Sequence, residues 1–66
     1  MKFYVVVMNY KDYDQIVSGI YSEKEYALAE WKRYYHPEDE FPAALIEISE
    51  GEWINSDGAR LIAPLA

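Results

Sequence analysis

The segment from Lys2 to Tyr10 constrains the fold of this chain more than any other feature. Its β-branched and aromatic content predicts a β-strand. Both faces of that strand are apolar, with Phe3, Val5 and Val7 on one and Tyr4, Val6, Met8 and Tyr10 on the other. This pattern is typical of a central strand that is covered on both sides. The rest of the chain must therefore supply two covers.

A single helix is predicted from Ser22 to His36. Ser22 and Glu25 have the spacing of a capping box, and Tyr21 and Tyr26 occupy the positions of a hydrophobic staple. The helix ends at His36 because the residue before a proline disfavours helical geometry. Helical periodicity places on one face Ala27, Leu28, Trp31, Tyr34 and Tyr35. One helix covers one face of a sheet, so the other face needs a second cover.

Two further strands flank the predicted helix. Gln15 to Tyr21 is the return arm of a hairpin, with Gly19 at a bulge. Ala43 to Ser49 alternates in polarity and forms the third strand. Turn residues at positions 50–51 and 55–58 predict that the tail is a small β-structured appendage.

These elements predict one α+β domain over residues 1–66, with the element order ββαβ. Placing the third strand beside the first gives the strand order 2-1-3 with a right-handed crossover. The sheet is then three- to four-stranded and mainly antiparallel, with one helix on one face. We expect the other face to include Tyr4, Val6 and Met8. Either the tail covers it or a second copy does, which would make a homodimer. The apolar tail residues are Trp53, Ile54, Leu61, Ile62 and Leu65.

Residue types that carry catalysis are scarce. The chain has no Cys, no Thr and a single His, so an activated nucleophile beside a base is not predicted. The nearest carboxylate pairs, Asp12 with Asp14 and Glu50 with Glu52, fall in predicted turns or loops. No segment completes a calcium-binding loop. We therefore expect a binding protein that is not an enzyme and uses no cofactor or metal.

The net charge of −6 is unevenly distributed. Residues 1–33 hold five acids and five bases, whereas the remainder holds seven acids and one base, Arg60. An acidic protein is repelled by nucleic acid and by anionic membranes, so we expect a protein partner and a strongly negative side of the molecule. The absence of Cys and of a long apolar run favours a cytoplasmic protein without a signal peptide or membrane span.

Acids and surface aromatic residues form the candidate binding surface. Tyr10, Tyr13 and Tyr26 are the tyrosines that we expect to be exposed, as tyrosines at interfaces often are. The acidic run at 38–40 is either a solvated loop or part of a binding surface. Glu50 and Glu52 alternate along an extended segment at roughly 7 Å, near the step between nucleic-acid phosphates. The predicted partner-binding residues are Glu38, Asp39, Glu40, Glu47, Glu50, Glu52, Asp57, Tyr10, Asp12 and Tyr13.

In size, acidity, lack of Cys and ββαβ outline, the chain resembles the small one-domain proteins with which phages and mobile elements block bacterial defence. The anti-CRISPR proteins are the best-known group of these. The chain is also similar to small bacterial and phage domains in which a hairpin leads into a helix, here through Gly19-Ile20-Tyr21-Ser22-Glu23. Together with the uneven distribution of charge, this resemblance leads us to expect a small acidic protein that inhibits a nucleic-acid-binding complex by occupying its basic site as a DNA mimic. The alternative is a homo-oligomeric accessory or structural protein without such a target.

Overall fold

The computed structural model describes residues 1–65. Its elements are β1 (Lys2–Met8), β2 (Ile16–Tyr21), α1 (Lys24–Tyr34), β3 (Ala44–Ser49) and β4 (Arg60–Ala63). The four strands form one antiparallel sheet in the order β2-β1-β3-β4, and α1 packs against it. The predicted α+β class, the ββαβ outline and the 2-1-3 order are confirmed. The tail adds the fourth strand beside β3.

Strand β1 is the centre of the molecule. It pairs with β2 on one side and β3 on the other, and Val5, Val6 and Val7 are all 0% exposed. Burying one such side chain is worth about 1.5 to 3 kcal/mol. These three consecutive valines point to alternating faces, so the prediction of a strand covered on both sides is confirmed.

The helix covers the face that carries Val6. This valine packs with Ala27 of α1 and Leu45 of β3, and Tyr4 joins the same cluster. The expectation that Tyr4, Val6 and Met8 lie on the face opposite the helix is therefore wrong, because Tyr4 and Val6 pack on the helix side. A dimer surface built on Val6 is wrong for the same reason. Chain topology decides which face of the sheet the crossover helix covers. The sequence of β1 does not indicate that face, because the strand is apolar on both sides.

The opposite face carries Val5 and Val7 and is covered by the tail. Ile54 and Ala59, from the loop at 50–59 between β3 and β4, pack on it. Tyr10 packs there too, although period-two alternation assigned it to the other face. The strand ends at Met8, and Asn9 has a positive φ of 53°, which breaks the alternation. Of the two predicted covers, the tail is the one that the structure shows.

The helix is shorter than predicted at both ends. Its N-cap is Glu23, which makes no side-chain capping hydrogen bond, so the predicted capping box at Ser22 is wrong. Because β2 stays paired through Tyr21, the chain needs two more residues before it turns into the helix. At the other end Tyr35 is extended, and its N–H donates to the Trp31 carbonyl at 2.9 Å. The predicted apolar face is confirmed, since its members are all buried or half-buried.

Two aromatic side chains on the helix side, Tyr21 and Trp31, hold α1 in place through hydrogen bonds. The ring of Tyr21 lies over Gly19, where an added Cβ would come within 2.9 Å of the phenol oxygen. The Tyr21 hydroxyl donates to Glu30 Oε2 at 3.1 Å. Partial burial and that carboxylate together raise the pKa of Tyr21. The predicted bulge is also confirmed, with Ser18 as the extra residue directly before Gly19.

Trp31 ties the helix to the chain that enters β3. Its Nε1–H donates to the Ala43 carbonyl at 2.9 Å, and its ring stacks on Tyr35 with centroids 4.6 Å apart. Ala43 is 3% exposed, so water cannot readily replace the indole as a donor. The loop between α1 and β3 is thus anchored from the helix.

We predict that Trp31→Phe lowers the free energy of unfolding by about 1 to 3 kcal/mol, because it leaves a buried carbonyl without a donor. Urea unfolding measures this. Trp53→Phe is the matched control, since Trp53 is 42% exposed, and it should change stability by less than half as much. Equal losses in the two variants would contradict the anchoring role of Trp31.

Candidate protein-binding surface

Two loops leave the sheet at the same end. Val7 of β1 pairs with Ala44 of β3, so the loop at 9–15 adjoins the loop at 36–43. We call these two loops the acidic end. Their formal charge is −4, from one lysine, Lys11, and five acids, which are Asp12, Asp14, Glu38, Asp39 and Glu40.

The loop at 9–15 is tightly folded. Asn9 and Lys11 have positive φ values of 53° and 71°, and the Asp12 N–H donates to the Asn9 carbonyl at 2.9 Å. Asp12 Oδ1 accepts the Tyr13 N–H at 2.7 Å. Asp12 is consequently half-buried, whereas Tyr13 is 100% exposed. Tyr10 is half-buried, so the expectation that it is exposed is wrong, while exposure of Tyr13 is confirmed.

The loop at 36–43 presents its acids to solvent. The Asp39 N–H donates to the His36 carbonyl at 3.0 Å, and His36 Nδ1 lies 3.7 Å from Glu38 Oε1. Glu38, Asp39 and Glu40 are all exposed. Trp31 anchors this loop at its far end, and the loop carries three consecutive exposed carboxylates.

The remaining predicted acids lie elsewhere. Glu50, Glu52 and Asp57 belong to the loop at 50–59, which follows β3, whereas the acidic end precedes it. Six residues of strand separate the two loops by roughly 17 Å. The sequence expectation of one strongly negative side is therefore wrong, because β3 divides its acids between opposite ends of the sheet.

Glu47 is neutralised within the fold. Its side chain is 13% exposed, and Oε1 lies 3.3 Å from Arg60 Nη2 and 3.7 Å from Lys2 Nζ. A carboxylate that is largely buried needs such partners. Glu47 therefore joins β1, β3 and β4 and offers little free charge to a partner.

Glu52 also has a structural contact. Its Oε1 accepts the Ser49 N–H at 2.7 Å, and its carboxylate lies where a Cβ on residue 58 would be, so Gly58 permits this approach. Gly51, with a φ of 86°, turns the chain between Glu50 and Glu52. Glu50 is exposed and Glu52 is half-buried. The predicted regular spacing of these two carboxylates along an extended segment is wrong.

An apolar pocket of about 370 Å³ lies beside the acidic end. Its lining combines both loops with β4 and the residue after it, and consists of Tyr10, Lys11, Glu40, Phe41, Pro42, Leu61 and Pro64. Of these lining residues, Tyr10 and Glu40 are among the predicted site residues. The sequence signal for the rest is weak, since Phe41-Pro42 and Pro64 become neighbours only when β4 pairs with β3.

Comparison with known proteins yields no match among family models, curated proteins or solved structures. Within residues 1–65, no three side chains of His, Cys, Asp or Glu are grouped so that they could hold a metal ion. No helix in that range is long and apolar enough to cross a membrane.

We predict that Gly58→Ala lowers the free energy of unfolding by about 1 kcal/mol, because the new methyl displaces the Glu52 carboxylate from Ser49. In a Glu52→Ala background the same substitution should cost less. A double-mutant cycle by urea unfolding measures the coupling, which we expect at about 1 kcal/mol. Strictly additive effects would mean that Gly58 and Glu52 act separately.

Proposed function

We propose that this protein is a small acidic binding protein that inhibits a nucleic-acid-binding complex by occupying its basic site. It acts without catalysis, in the cytoplasm, and its partner is a protein. The observation that carries the proposal is the acidic end, where two adjoining loops hold five carboxylates and one lysine. Most of these carboxylates are exposed, and among residues 1–65 none of them forms an ion pair with a lysine or arginine.

The structure narrows the surface that was expected from the sequence. Glu38, Asp39 and Glu40, together with Asp12 and Tyr13, lie at the acidic end. Glu47 and Glu52 are used to hold the fold, and we leave them out of the binding surface. Glu50 and Asp57 are exposed but lie beyond β3. The proposal therefore assigns the contact to one end of the molecule.

The grouping of these carboxylates on two adjoining loops supports this assignment. Carboxylates gathered on adjoining loops create a local negative potential, which speeds encounter with a basic groove and is weakened by salt. Such complementarity also selects partners, because like charges across an interface are costly. A nucleic-acid-binding site rich in Lys and Arg is the partner surface with the matching chemistry.

We predict that the double reversal Glu38→Lys with Asp39→Lys abolishes inhibition. RNA-guided DNA-binding complexes, the targets that the resemblance implies, provide the assay, and loss of DNA binding in a gel-shift titration measures inhibition. The matched control is Glu50→Lys with Asp57→Lys, which changes the net charge equally at exposed positions on the other side of β3. This control should inhibit like the parent protein.

Two results would contradict the proposal. If both double reversals lose inhibition equally, net charge matters rather than the acidic end. If no complex of this class releases DNA when the parent protein is added, the protein does not act on such targets.

A second candidate function is that of a homo-oligomeric accessory protein that assembles through β2. This strand lies at the edge of the sheet, and Ile16 and Ile20 on it are 58% and 53% exposed. An unpaired strand edge can pair with the same edge of another copy.

For this second candidate we predict a dimer in sedimentation velocity at micromolar concentration and a monomer for Ile20→Lys. Charged residues on an edge strand oppose edge-to-edge pairing. A parent protein that sediments as a monomer of 7.7 kDa would rule this assembly out.

A further inference from the structure

The apolar pocket adjoins the acidic end. The pocket offers apolar contacts to a partner, and the acidic end offers charged ones. Five of its lining residues present apolar surface, from Tyr10, Phe41, Pro42, Leu61 and Pro64. Its volume of about 370 Å³ falls within the range of pockets that take a ligand or a large side chain. Leu61 remains 44% exposed in the free protein, so the pocket leaves apolar surface open to a partner.

The charge around the pocket selects its occupant. Glu40 is part of the wall, and it continues the exposed run of Glu38 and Asp39. On the other loop of the acidic end, Asp12 and Asp14 come directly after the lining residues Tyr10 and Lys11 in the sequence. A cationic segment seated in the pocket would thus meet Glu40 in the wall and reach the other carboxylates of the acidic end.

Lys11 is the one like charge that a cationic segment would meet in this wall. Its ammonium lies 5.7 Å from the centroid of the Tyr10 ring, over the aromatic face. That position shows that a cation is accommodated at this part of the pocket, where the ring attracts positive charge. It also means that Lys11 competes with an incoming lysine or arginine for the same ring.

We propose that the pocket receives an apolar side chain from a basic segment of the partner protein, while flanking lysines or arginines of that segment contact the acidic end. This inference rests on the proposed function and names the chemistry of its partner. The apolar side chain slows dissociation, since truncating a buried anchor mainly changes the off-rate, whereas the surrounding charges speed association.

The test uses a labelled lysine-rich peptide with one central leucine and measures its binding to the 66-residue protein by fluorescence anisotropy. A second peptide replaces the leucine by alanine, and a third keeps the leucine but replaces the lysines by serines. We expect the first peptide to bind about tenfold more tightly than either of the others.

Variants of the protein locate the contact. Leu61→Ser should remove the advantage of the leucine peptide over the alanine peptide. Ile20→Ser is the matched control, because Ile20 is 53% exposed on the opposite edge strand and lies outside the pocket. Lys11→Gln should strengthen binding of the leucine peptide, and this gain cannot arise from unfolding.

The outcomes separate this inference from the function on which it rests. If the leucine and alanine peptides bind equally and salt weakens both, the acidic end survives as a binding surface and the pocket proposal is overturned. If no lysine-rich peptide binds, both proposals fail. Equal binding of the serine peptide would assign the pocket to uncharged apolar ligands. A change in the sedimentation of the protein alone on Leu61→Ser would assign it to a second copy of the chain.

Discussion

Burial of β1 on both faces is the constraint on which the rest of the structure depends. Three consecutive valines, Val5, Val6 and Val7, are 0% exposed, and a chain with a single helix can cover only one side of them in that way. The loop at 50–59 covers the other side through Ile54 and Ala59. Part of the second half of the chain is therefore needed in the core. The acids of that half must lie around these core residues.

Local patterns in the sequence predicted the elements, and long-range contacts decided how they meet. The apolar content of β1 and the periodicity of α1 are sufficient to predict the fold class and the face of the helix that packs on the sheet. Which face of β1 the helix covers could not be predicted, because both faces are apolar. The turn of Asn9 to a positive φ and the antiparallel register that brings Arg60 opposite Glu47 also depend on contacts between distant parts of the chain.

Long-range contacts also explain which of the predicted binding residues hold the fold and which are available to bind a partner. Charge along the sequence gathers in the second half, but β3 runs through the middle of that half and carries its acids to opposite ends of the sheet. Within the fold, Glu47 compensates Lys2 and Arg60, and Glu52 accepts a backbone N–H of the turn. Residue type alone does not distinguish a carboxylate that holds the fold from one that is free to bind.

The inhibition proposed above does not require the regular spacing of phosphates along a strand. Glu38, Asp39 and Glu40 are consecutive residues of a loop, and Glu50 and Glu52 are separated by the turn at Gly51. A basic groove is nevertheless blocked if carboxylates bring the protein to it and an apolar contact keeps it there. Salt screens the first interaction but leaves the second largely intact. The juxtaposition of the acidic end with the pocket between Phe41 and Leu61 therefore favours occlusion of a basic site over a copy of the nucleic-acid backbone.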